Sequence, residues 1–167
     1  MSTVPISFEI SGVQSGWAIM DVCAGDASYR IDGFSYTTDA FDDLVRFGVD
    51  IALNAHRAEI ILDGEPSGWS LSFHRTRDAR SGGAVETFCV HEIDNVYEEN
   101  SPRAEALRAN VSRDQVSAAI EAGLSRLEAD MGVENFEAAW MQAYPVRGMA
   151  ALRAALGQSP RRGPDRM

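Results

Sequence analysis

The chain opens on a strict alternation. Val4, Ile6, Phe8 and Ile10 are apolar, and Pro5, Ser7, Glu9 and Ser11 separate them. Side chains along a strand point to opposite faces in turn, so this is a half-buried strand. Pro5 near its start suits a sheet edge. Gly12 to Gly16 supplies turn residues, and Trp17 to Cys23 reads as a second, more deeply buried strand. Gly25-Asp26 marks another turn. Tyr29 and Ile31 give a short third strand ending near Gly33.

The period then changes. Phe41, Leu44, Val45, Gly48, Ile51 and Ala52 recur at the i, i+3, i+4, i+7 spacing of one helical face, which predicts a helix over 39–53. Thr38 or Asp39 serves as N-cap, and Asp42 and Asp43 in the first turn complement the helix dipole. Asp42, Arg46 and Asp50 stand four apart and can pair weakly. Strands resume at Ala58–Asp63 and break at Gly64-Glu65-Pro66-Ser67-Gly68. Trp69, Leu71 and Phe73 then alternate with Ser70, Ser72 and His74, residues 76–83 read as a hairpin loop, and Val85–Ile93 returns. Pairing Trp69 with Val90, Leu71 with Phe88 and Phe73 with Glu86 keeps the apolar sets on one face.

Beyond residue 100 the pattern is mainly helical. Residues 94–102 form an acidic connection containing Pro102. Residues 103–111 fit either element: Ser101-Pro102 can start a helix, yet Leu107, Ala109 and Val111 alternate. Ser112-Arg113-Asp114-Gln115 is a capping box, followed by a helix ending near Gly132. A short helix carries Phe136 and Trp140. After Pro145 a last helix with Met149, Leu152 and Leu156 ends at Gly157. The expected architecture is α+β: an antiparallel sheet of five or six strands, one helix inserted after the third, and helices at the C-terminus packed on it. Residues 1–157 make a single domain, and 158–167 a disordered tail.

Composition narrows the function. The 167 residues carry a formal net charge of −10. The imbalance belongs to residues 1–100, with 17 acids and 6 arginines, whereas 101–167 hold 8 acids and 9 arginines. Proteins that bind nucleic acid or anionic membranes present basic surfaces, so neither is the expected partner. The basic residues are all arginine, which removes Schiff-base chemistry and a phosphate-loop lysine. Two distant cysteines, Cys23 and Cys89, make no disulfide framework, and no stretch reads as a secretory signal or membrane span. A reduced, cytoplasmic protein is expected.

No catalytic motif stands out. Cys89 and His91 share a strand face and His74 points the same way, which raises zinc or Cys–His chemistry. In the register above His91 lies opposite Gly68, roughly 20 Å along the sheet from His74, so no shared metal site is expected. His56, His74 and His91 read as surface or rim residues, and Cys89 as a small hydrophobe. No cofactor is expected. Arg75, Arg77 and Arg80 cluster in the hairpin loop, as charge balance or as an anion contact. Trp17, Trp69 and Trp140 read as core.

The stretch Ser35-Tyr36-Thr37-Thr38-Asp39-Ala40-Phe41-Asp42-Asp43-Leu44, with Asp63-Gly64-Glu65-Pro66 and Trp69 after it, resembles a group of small, acidic, largely uncharacterised bacterial proteins. Some of these are thought to be immunity proteins, which neutralise a partner toxin. The resemblance covers about residues 30–75. It implies an antiparallel sheet with helices and no catalytic residues. The expected function is therefore a non-enzymatic protein-binding module, immunity-like, for a basic partner. Its expected contact residues are Asp42, Asp43 and Asp50 on the first helix, with Glu92, Asp94, Glu98 and Glu99. The alternatives are a small-molecule-binding protein or enzyme with an unrecognised site, and a homo-oligomeric structural protein using a bare sheet face.

Overall fold

A computed structural model describes residues 2–158. Seven strands and four helices follow in the order β1 (Ile6–Gln14), β2 (Trp17–Ala24), β3 (Ala27–Ser35), α1 (Ala40–Ala52), β4 (Arg57–Asp63), β5 (Gly68–Arg77), β6 (Ala84–Ile93), β7 (Arg103–Asn110), α2 (Arg113–Met131), α3 (Val133–Trp140) and α4 (Val146–Gln158). The ambiguous segment 103–111 is thus strand to Asn110. Gln158 still belongs to α4; the rest of the expected tail, 159–167, lies outside the described residues.

The fold is α+β, but its strands form two antiparallel sheets: β1-β2-β3 and β4-β5-β6-β7. The expectation of one sheet of five or six strands is corrected here. Each sheet is a meander of sequential antiparallel strands. The chain leaves the first through α1, whose buried face runs from Ala40 through Phe41, Leu44, Val45, Phe47 and Gly48 to Ile51 and Ala52. A face that broad needs apolar partners on several sides. Both sheets and the other helices supply them, in one core. Phe88 of β6 meets Phe8 of β1 edge to face at 5.6 Å and Phe47 of α1 at 6.5 Å. At the rims the Val4 amide donates to the Asn110 carbonyl, joining the two sheets by backbone.

Local signals placed most elements. Asp39 caps α1 by accepting from the Asp42 amide, and the Ser112–Gln115 capping box opens α2. β1 is an edge strand, as Pro5 suggested. It runs on past Gly12, which takes a positive φ inside the strand, and the turn falls at Ser15-Gly16. Gly123 of α2 rests on β1: a Cβ there would meet the Phe8 carbonyl oxygen at 2.6 Å. Trp140 is fully buried among Phe34, Phe41 and Phe136. Trp17 is not core; it is 38% exposed on the outer side of β2.

The β5–β6 register is two residues from the expected one: Trp69 faces Glu92, Leu71 faces Val90 and Phe73 faces Phe88. A two-residue shift preserves the faces, so the apolar pattern alone could not exclude it. The tip decides it. Asp78 binds the Gly83 carbonyl through its amide and accepts from the Arg80 amide and the Ser81 hydroxyl, so the strands extend to Arg77 and Ala84.

Candidate partner-binding surface

Two connections meet at one end of the four-stranded sheet. The first is the turn from Asp63 to Gly68. Gly64 donates from its amide to the Ser67 carbonyl, and the Glu65–Pro66 bond is cis. A Cβ on Gly68 would lie 2.3 Å from the Leu62 carbonyl oxygen and 2.6 Å from Val96, so only glycine lets the second connection pack this close. That second connection, residues 94–102, docks by donating from the Val96 amide to the Pro66 carbonyl.

Asp63 ties the two together. It is buried, with 2% exposure, and a buried carboxylate must be well provided with donors. Its Oδ1 accepts from the Glu65 amide at 2.8 Å, and its Oδ2 from the Thr37 hydroxyl at 2.9 Å and the Tyr97 hydroxyl at 2.7 Å. Thr37 stands just before α1, so one carboxylate fixes the entry to α1, the 63–68 turn and the 94–102 connection. The Asp63 hydrogen bond holds the Tyr97 phenol up to about 12, with burial and the charge of Asp63 adding to it.

Tyr97 is nonetheless 64% exposed. Its loop is tied internally: the Asn95 side chain accepts from the Tyr97 amide and donates to Glu98, and the Asn95 backbone amide donates to the Ser101 hydroxyl oxygen. The ring therefore stands in water in a fixed position. Beside it, on the inner face of the sheet, Trp69 donates to the Tyr29 hydroxyl, which in turn donates to Glu92 and joins β3 to β5 and β6. Burial and the Glu92 contact raise the Tyr29 phenol above its ordinary value.

Charge at this end is uncompensated. Glu65, Glu92, Asp94, Glu98 and Glu99 have no arginine partner among the described residues. Elsewhere several acids are paired with arginines. Asp21 binds Arg30, Glu121 binds Arg153, and Glu86 holds both Arg75 and Arg113. The arginine cluster expected in the hairpin loop is dispersed the same way: Arg75 goes to Glu86 and Asn54, and Arg77 to the Gly82 carbonyl.

The structure brings Glu92, Asp94, Glu98 and Glu99 onto this one end. It places the other expected contacts along α1. Arg46 pairs with Asp43 rather than with Asp42 or Asp50, and burial raises the carboxyls of Asp39 and Asp43. Asp42 borders Gly148 of α4. Asp50 lies two turns further, about 12 Å along the axis. Sequence reasoning missed Tyr97 and Asp63. The one available signal was a single aromatic in an otherwise polar connection.

The histidines do not converge. His56 is exposed, and His74 and His91 are half-buried on the outer face of the four-stranded sheet. His91 faces Ser70, not Gly68, which brings it to roughly 13 Å from His74 along the sheet. Among the described residues no three of His, Cys, Asp or Glu are placed to hold a metal ion. No helix among them is long and apolar enough to cross a membrane. Comparison with protein-family models, with curated proteins and with solved structures found no match.

Proposed function

We propose that this protein is a binding module for a basic protein partner, with Tyr97 as the contact anchor and Glu65, Glu92, Asp94, Glu98 and Glu99 as the acidic rim. One observation carries the reading: an aromatic residue 64% exposed, yet held at its hydroxyl by a buried carboxylate. Large side chains that are fixed before binding make economical anchors, because little conformational freedom is lost on contact. Uncompensated carboxylates around an anchor accelerate encounter with a basic partner and reject acidic ones. Neutralisation of a basic toxin, the immunity-like role the sequence resemblance implies, is one use of such a surface.

The test is a panel of arginine- and lysine-rich, neutral and acidic peptides titrated against the full chain at low and high salt. Selective binding of the basic peptides, weakened by salt and lost in Tyr97→Ala, is the expected result. Equal binding of neutral peptides, or binding unchanged in Tyr97→Ala, overturns the reading.

A further inference from the structure

The outer face of the four-stranded sheet carries a different chemistry. Strand alternation sends Ser70 and Ser72 to this side, opposite Leu71 and Phe73, and pairing sets them in two rows. The first row reads Ile61, Ser70, His91, Glu105; the second reads Glu59, Ser72, Cys89, Arg108. α1 meets β6 on the opposite face, through Phe47 and Phe88. Yet Ser70 and Ser72 are 1% and 4% exposed, and neither hydroxyl has a hydrogen-bond partner. Buried polar groups are nearly always paired, so two neighbouring exceptions on one sheet face call for an explanation.

An ion pair spans this face of the sheet. Glu59 on β4 and Arg103 on β7 stand on opposite edges of the sheet and form an ion pair, which therefore passes over β5 and β6. Both side chains are well exposed, and ion pairs of that kind open at little cost. The charges around the furrow do not balance. Arg108 is engaged by Glu105, Arg103 by Glu59, and Arg57 has no carboxylate partner among the described residues. Arg57 lies two residues before Glu59, on the same face of β4.

We propose that this furrow binds a small oxyanion, a phosphate or carboxylate group, held by the Ser70 and Ser72 hydroxyls and by Arg103. The exchange is self-consistent. The anion replaces Glu59 on Arg103, Glu59 turns to the unpaired Arg57, and the two hydroxyls find their acceptor. Ser70, Ser72 and Cys89 form a floor of small side chains, with His74 and His91 on the same face.

The experiment is an amide-resolved NMR titration of the full chain with inorganic phosphate and, separately, with acetate, against sodium chloride at matched ionic strength. Saturable shifts at Ser70, Ser72, Cys89, His91 and Arg103 are expected, and the anion that saturates first identifies the ligand chemistry. A Ser70→Ala/Ser72→Ala variant removes two unpaired hydroxyls, so it should melt no lower than the parent while binding the anion at least tenfold more weakly. Arg103→Gln should weaken binding to a similar degree. Shifts no larger than those in chloride, parent-like binding by the double variant, or a lowered melting temperature in it each overturn the proposal. Tyr97→Ala should leave anion binding unchanged, which separates this furrow from the Tyr97 surface.

Discussion

Tyr97 gives its hydroxyl proton to Asp63 Oδ2 at 2.7 Å, across 34 residues of sequence, and this bond orients an exposed ring from a buried carboxylate. Alkaline titration should expose the bond directly. A phenol whose folded value lies above its unfolded value contributes stability that is fully present below pH 10 and is lost as pH rises through about 12. Followed by tyrosinate absorbance, Tyr97 should titrate near 12, identified as the step missing in Tyr97→Phe. In Asp63→Asn it should move back toward 10. A Tyr97 that titrates at 10 in the parent would show that the bond is not formed in solution.

Asp63→Asn should also destabilise the fold. Three donors converge on this carboxylate from three separate segments. An amide of the same shape turns its own N–H₂ toward at least one of them and leaves that donor buried without an acceptor. Hydrogen bonds to charged groups contribute about 1.5–3 kcal/mol, so a loss of about 2–3 kcal/mol is expected in urea unfolding. Thr37→Val, which removes one donor and leaves the charge satisfied by the other two, should cost less.

The interface between α2 and β1 is set by an absence of atoms. At Gly123 a single methyl group would sit 2.6 Å from the Phe8 carbonyl oxygen, which belongs to a paired strand and cannot turn away. Gly123→Ala should therefore cost about 1–3 kcal/mol through forced separation of helix and sheet, despite the better helix propensity of alanine. Ser112→Ala, which opens the capping box at the start of the same helix, should cost about 1 kcal/mol. Thermal unfolding should rank the two variants in that order. A stabilised Gly123→Ala would mean that the helix stands further from β1.

These elements mark how far the sequence could be read. The capping box, α1 and the alternation of β1 and β5 are local, written in spacing, and each appeared where the spacing put it. The split into two sheets was not local. Period-two patterning tells which face of a strand is apolar, and does not tell which strands are neighbours. The two-residue slip of β5 against β6 has the same cause, since the hairpin tip around Asp78 outweighs a pattern that fits both registers equally. Asp63 and Tyr97 looked like a turn acid and a linker aromatic because 34 residues separate them. What makes them notable is burial and convergence, and neither exists until the chain has folded. The acidity of the first half was legible. That arginines pair with Asp21, Asp43, Glu59 and Glu86 and leave the Tyr97 end bare was not.

The two thiols should behave unequally. Cys23 is exposed on the outer side of β2, while Cys89 is buried on the outer face of β6, and burial raises its thiol above the ordinary value, against the pull of Arg108. The thiolate is the reactive form, so both exposure and ionisation disfavour Cys89. An aromatic disulfide reagent at pH 8 should count one fast thiol per native chain and two in urea. Cys23→Ser should abolish the fast phase, and Arg103→Gln, which removes the ion pair with Glu59, should speed the slow one. A native protein that shows two fast thiols would mean that Cys89 is not buried in solution. The same readout bears on the furrow, since an anion that opens the ion pair must change the rate at which Cys89 is reached.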